Sequence, residues 1–235
     1  MKGALISIGG NWGHFKKPET NNNPLTHDFI TKTALIGMIG AVLGIGRPEM
    51  KQFFPQLSED LRYGVRIHNA VKKESWSFKL RHADKPFSDE NKRPVQMEFL
   101  KNPRYTIAIG LRDERSADQF SQFVAAVDAS EARFTPVLGL HNCPASLGFI
   151  SAGDFGSKDS DFETKGFVTG EHKLIRASEA DPFRVGVERI PTYQNNDFWN
   201  LPDQYVRVFY PSEDKAISAS GVHQEFSDGS CWVLI

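Results

Sequence analysis

Within seven positions the chain places Asn11, Trp12, His14, Phe15, Lys16 and Lys17: two aromatic rings, an imidazole and two ammonium groups. Gly9 and Gly10 come just before and let the backbone turn. Single-stranded RNA asks for this mixture, because bases stack on aromatic faces while cations neutralise phosphates. Lys32 and Thr33 stand where a helix begins, and the free N–H groups of a helix N-terminus also suit an anion. A second segment, residues 136–148, carries Gly139, His141 and Asn142. Gly139 and Gly148 relax it while Pro136 and Pro144 stiffen it, so its backbone can approach a nucleotide closely. The competing reading makes Trp12 and Phe15 hydrophobic plugs, the lysines solvated, and the second segment a tight connection packed on a sheet.

Metal-free RNA cleavage needs a base near a 2′-hydroxyl, an acid for the leaving oxygen and a cation for the phosphorane. His14 with Lys16, or His141, are the candidates, although such residues also serve as plain hydrogen-bonding contacts. The nearest tyrosines in sequence, Tyr63 and Tyr105, lie well away from that segment. Of the seven histidines only His141 stands near a cysteine, Cys143, which is too sparse for a metal site. No phosphate-binding G-x-x-x-x-G-K-[ST] loop occurs, and Glu49 occupies the third-glycine position of a dinucleotide fingerprint begun by Gly44 and Gly46. No metal and no cofactor are therefore expected.

These residues need a frame. The 235 residues are 40% hydrophobic and 24% charged, ordinary globular usage for one or two domains. That excludes a disordered tail, a collagen-like fibre and a coiled coil. Two cysteines exclude a disulfide framework, and a reduced cytosolic setting is expected. Residues 1–10 lack the long apolar run of a secretory signal, and none is expected. The uncharged apolar stretch at residues 33–46 is shorter than the ~20 residues of a spanning helix, so a soluble protein with one buried helix there is expected. Charge is split: residues 1–115 carry 19 Lys and Arg against 12 Asp and Glu, and the remainder carries 9 against 17. A basic half joined to an acidic half points to a polyanion on one face and protein contacts on another.

Residue types predict a strand over residues 4–8, broken by Gly9 and Gly10, a polar loop over 14–25 and a helix ending near Leu43, capped by Thr31 or Thr33 and stopped by Gly44 to Pro48. A short helix follows near residues 49–54, then strands over 61–68 and 76–80 and a charged loop over 83–95. Residues 96–100 and 105–111, separated by Lys101-Asn102-Pro103-Arg104, read as a hairpin. Residues 117–127 form an amphipathic helix, and beyond Arg133 short strands are expected at 147–150, 162–168, 183–191, 205–210 and 232–235. Gly37, Gly40 and Gly44 share one helix face and predict close packing on a sheet beneath. The order fits an α+β, ferredoxin-like βαββαβ unit with extra strands, a fold whose sheet face binds RNA in the RRM.

Three stretches together resemble the fifth family of CRISPR-associated proteins, within the RAMP superfamily. They are Gly13-His14-Phe15-Lys16-Lys17-Pro18 after the first strand, the helix Thr31-Lys32-Thr33-Ala34-Leu35-Ile36-Gly37-Met38-Ile39-Gly40-Ala41-Val42-Leu43-Gly44, and Phe134-Thr135-Pro136-Val137-Leu138-Gly139 with Cys143-Pro144-Ala145. The likeness spans most of residues 4–150. It implies a subunit that caps the 5′ handle of the CRISPR RNA in a type I Cascade antiviral surveillance complex. It further implies a ferredoxin-like palm with a β-hairpin thumb near 76–111, a β-rich extension over 151–235, and RNA contacts from Asn11, Trp12, His14, Phe15, Lys16, Lys17, Lys32, Thr33, Arg104, Gly139, His141 and Asn142. The implied neighbours are the backbone subunit, the large subunit and, through the complex, target DNA. One branch of the family cleaves precursor RNA with a Tyr–Lys–His type centre. No tyrosine accompanies His14 and Lys16, so the non-catalytic role is favoured. Phe198, Trp199 and Trp232, in the acidic half, are candidates for an apolar patch that faces partners or for ordinary core.

Overall fold

The computed structural model describes residues 1–20, 22–80, 93–175, 184–193, 202–211 and 213–235. Phe198, Trp199 and most of the charged loop at 83–95 lie outside these described residues. In chain order the elements are β1 (Lys2–Gly9), β2 (Trp12–Gly13), α1 (Lys32–Leu43), α2 (Arg47–Asp60), β3 (Leu61–Ile67), β4 (Lys73–Leu80), β5 (Arg93–Lys101), β6 (Arg104–Leu111) and α3 (Ala117–Asp128). The remainder is β: β7 (Ser146–Thr164), β8 (Val168–Thr169), β9 (Lys173–Ile175), β10 (Val185–Tyr193), β11 (Gln204–Pro211), β12 (Ile217–Phe226) and β13 (Cys231–Trp232).

An antiparallel sheet in the order β13-β12-β7-β1-β6-β3 carries the molecule, with β9 added on β12. Within it β1 pairs with β6, Ala4 facing Ile109, and with β7, Ala4 facing Ala152. Alternation along β1 sends Ala4, Ile6 and Ile8 to the helix side, where they join Tyr63, Val65, Ile107 and Ile109 in the main core. Two three-stranded sheets flank it, β10-β11-β8 and β2-β5-β4. The fold is thus mixed α/β, with an antiparallel sheet and few helices.

Part of the other face of the main sheet is also buried. Leu5, Ala108, Phe155, Phe226, Trp232 and Leu234 form a second core there. Trp232 is therefore core and no part of an exposed patch. Burying each of the larger of these side chains is worth about 1.5–3 kcal/mol, and with them the C-terminal strands cover part of the face that an RRM leaves open.

Residues 33–46 lack charge because α1 is packed on several sides, against α2, α3 and β10. Thr31 caps it, its Oγ1 accepting from the Ala34 N–H at 3.3 Å, and Gly44 ends it in the left-handed region at φ 76°. The expected glycine packing on a sheet does not hold. Gly37 faces open space, and Gly40 makes room for Met50 of α2. The second helix is longer than its pattern suggested, because α2 runs through Pro55.

Two strand readings need correction. Residues 96–100 and 105–111 are not a hairpin: β5 pairs with β4 and β2, whereas β6 pairs with β1 and β3. Asn102 at φ 49° and Pro103, which has no N–H, send the chain from one sheet to the other. The short strands expected at 147–150 and 162–168 are replaced by one 19-residue strand, β7, which continues to Thr164. Its first half pairs with β1 and its second with β12. Gly153, Gly156 and the polar residues 157–161 read as turns, yet the exposed face of an antiparallel ladder accepts them.

Candidate functional site

The two segments singled out in the sequence meet at the C-terminal end of β1. The His14 N–H donates to the Leu138 carbonyl at 2.9 Å. Gly139 adopts φ +89°, and a β-carbon there would fall 1.9 Å from the His14 carbonyl oxygen. At Gly10 a β-carbon would meet Leu138 Cδ1 at 2.7 Å and the Pro144 carbonyl at 2.8 Å. Both glycines are therefore consumed by the packing of one segment on the other. His141 and Asn142 lie exposed on the same loop.

The sheet crossing lies on the other side of this junction. The Gly10 N–H donates to Pro103 O at 3.2 Å and the Asn102 N–H to Asn11 O at 2.8 Å. Arg104 Nη1 donates to Gly10 O at 2.6 Å and to Pro103 O at 2.9 Å. Arg104 is exposed, and its guanidinium has five N–H donors, so it locks the turn and still offers positive charge to solvent. Asn11 and Lys16 are exposed as well.

Trp12 is half-buried, its ring 4.4 Å from that of Trp76 at 65°, with Lys101 Nζ 5.8 Å from its centroid. Phe78 and Phe99 support Trp76, which is still 39% exposed. Sequence reasoning missed Trp76 as a surface group. Its alternation with Phe78 and Leu80 marked a strand, but the pairing of β4 with β5 and the crossing of β2 decide what it faces.

Several candidates turn inward. Phe15, 3% exposed, belongs to the core and offers no ring for stacking. His14 is 2% exposed, its Nδ1 2.7 Å from the Glu98 carbonyl oxygen and its Nε2 without a partner. A carbonyl only accepts, so Nδ1 carries the proton. Burial is the main force holding this imidazole below its ordinary pKa, which keeps it neutral. Lys32 is 4% exposed, and burial, with Arg62 and Arg112 nearby, lowers its ammonium to about 7. It is no open anion contact. The Thr33 hydroxyl lies 3.1 Å from that of Thr31 and is only part exposed.

Lys17 is tied up too. It pairs at 2.8 Å with Glu188 of β10, which also meets His27 Nδ1 at 3.1 Å. Burial favours the protonated carboxyl, yet the hydrogen bonds from His27 and Lys17 prevail and hold Glu188 well below its ordinary range. Beside them Lys73 Nζ meets Asp28 at 2.6 Å and Glu98 at 3.4 Å, and the Tyr210 hydroxyl donates to Asp28. This network joins the loop before α1 to β4, β5, β10 and β11. It is a mount for this loop, and the exposed candidates are Asn11, Lys16, Arg104, His141 and Asn142, with Trp76 and Lys101 exposed beside Trp12. Of the cleavage candidates, Lys16 and His141 reach solvent and His14 does not. Among the described residues no cluster of three or more His, Cys, Asp or Glu is placed to hold a metal, and no helix is long and apolar enough to cross a membrane.

The chain matches the family described as CRISPR-associated protein (Cas_Cas5) over residues 7–217. It is similar in structure to a CRISPR protein from Archaeoglobus fulgidus, with a TM-score of 0.61 at 13% identity, covering 99% of this chain and 98% of that one. It is also similar to a chain of a CRISPR RNA-guided surveillance complex, with a TM-score of 0.51 at 12% identity and 89% of each chain covered. Likeness at these identities is likeness of fold. No curated protein matches the sequence.

Proposed function

The chain belongs to the Cas5 family of CRISPR-associated proteins, and from that premise we propose that it is the CRISPR RNA 5′-handle-binding subunit of a type I Cascade complex in the cytoplasm. The carrying observation is the junction of residues 10–16 with residues 138–142, made through His14 and Leu138. It gathers Asn11, Trp12, Lys16, Arg104, His141 and Asn142 at one end of the sheet, where phosphates and unstacked bases find cations, amides and a ring. A ferredoxin-like palm is supported by the order β7-β1-β6-β3, with α1 and α2 before β3 and α3 before β7. The paired strands β4 and β5 stand as the thumb, whereas β6, also within 76–111, belongs to the palm sheet. The β-rich residues after 150 are the extension, entered without a break along β7. They hold the acidic half of the charge and face the backbone and large subunits, through which target DNA is met.

The role is structural rather than catalytic. A buried, neutral His14 cannot reach a 2′-hydroxyl. The test is purified protein with labelled repeat RNA in EDTA, analysed for cleavage and retention together. Retention of uncut RNA, falling steeply with salt, is expected. Cleavage at a single position would replace this reading with an endoribonuclease. The absence of both cleavage and retention, even with the partner subunits present, would overturn it.

A further inference from the structure

We propose that Trp76, with Trp12 as its side wall, is a stacking site for one unpaired nucleobase. The inference rests on the RNA-binding reading above and names a residue for it. Trp76 stays 39% exposed although Trp12, Phe78 and Phe99 all contact its ring. A tryptophan held on several sides and open on another is a rigid platform, since little side-chain freedom remains to be lost on binding. The 65° angle between the two indoles makes a corner, so a base lying on one ring meets the other at its edge.

Charge identifies the occupant. Lys101 Nζ sits 5.8 Å from the Trp12 ring, and exposed Lys72 is adjacent, its carbonyl accepting from the Lys101 N–H at 2.9 Å. Glu74, the acid of this corner, accepts a hydrogen bond from Lys101. That pairing occupies Glu74 and leaves Lys72 to face a phosphate. An aromatic corner flanked by ammonium groups suits a stacked base with its phosphate better than an aliphatic peptide segment. Every base has a π-face, so the site tolerates sequence and adds affinity.

The probe is labelled single-stranded repeat RNA, intact and with a single abasic nucleotide moved along the handle, measured against wild-type, Trp76→Ala and Trp76→Phe proteins. Trp76→Ala is expected to weaken binding about 5- to 150-fold, the range for one lost base stack, with Trp76→Phe close to wild type. One abasic position should weaken the wild type and add nothing to Trp76→Ala, because both remove the same contact. The abasic series on wild-type protein needs no folded variant. Equal affinity of the wild type and Trp76→Ala, or full additivity at every abasic position, overturns the assignment. Unchanged RNA affinity with loss of a partner subunit would make the corner a protein contact instead. If the wild type holds RNA and Lys16→Ala weakens it while Trp76→Ala does not, this site fails and the functional reading stands. If the wild type holds no RNA even with the partner subunits present, both fall.

Discussion

A β-carbon on residue 139 would lie 1.9 Å from the carbonyl oxygen of His14. Gly139 is thus fitted against the backbone of the first loop, and its φ of +89° is one that L side chains rarely adopt. Gly139→Ala has to move one segment off the other. A loss of about 2–4 kcal/mol is expected, from left-handed strain plus the clash. Chemical denaturation of the variant checks it, and RNA retention should fall together with stability.

Trp12→Ala removes a half-buried ring that walls Trp76 and sits beneath Lys101. Repeat-RNA affinity should drop by about 1–3 kcal/mol. Lys16→Ala removes an exposed ammonium, so it should also lower the salt dependence of log K by about 0.7, the contribution of one phosphate contact on a single strand. Filter binding at several salt concentrations measures both. Wild-type affinity in both variants would remove residues 11–16 from the interface.

His14 makes stability depend on pH in a definite direction. Its folded pKa lies below its ordinary 6.5, with burial the main cause. The unfolded chain therefore binds the extra proton first as pH falls. Stability from this residue is complete above about pH 6.5 and declines below it. Melting temperatures between pH 7.5 and 5 should fall for the wild type and fall less for His14→Gln. Identical slopes would mean that the ring is not held neutral.

Glu188 acts in a lower window. Hydrogen bonds from His27 and Lys17 overcome the effect of burial and keep its carboxyl below the ordinary 4.5. Its contribution is present above about pH 4.5 and is lost as pH falls toward the folded value. Glu188→Gln should be less stable than wild type near neutral pH and lose less on acidification. Thermal melts from pH 6 to 3 give both numbers, and a variant with the wild-type acid profile would exclude Glu188 as the anchor of this network.

The first and third helices were legible because their signals are local. The uncharged stretch at 33–46 and the stripe of Phe120, Phe123, Val124 and Val127 mark α1 and α3 within a residue or two of their ends. The strand of residues 61–68 was legible by its period of two, and the first strand by a short apolar run that Gly9 and Gly10 break. Strand partners were not. Lys101-Asn102-Pro103-Arg104 carries the chemistry of a tight turn and makes one, but nothing nearby says that β5 and β6 enter different sheets. The 19 residues of β7 hide behind glycine and serine, and only the ladders to β1 and β12 reveal them.

By itself the sequence determined which groups were available: a basic first half, an aromatic and cationic loop after a glycine turn, a glycine-bearing second loop and an all-round apolar helix. Those are properties of residue type and spacing over a few positions. Tertiary structure alone decided which of them face outward. It sank His14, Phe15 and Lys32, tied Lys17 to Glu188, covered part of the second sheet face with Trp232, and left Trp76 open beside Trp12. Exposure depends on contacts between residues more than a hundred positions apart, such as His14 with Leu138 and Lys17 with Glu188, and no local pattern encodes them.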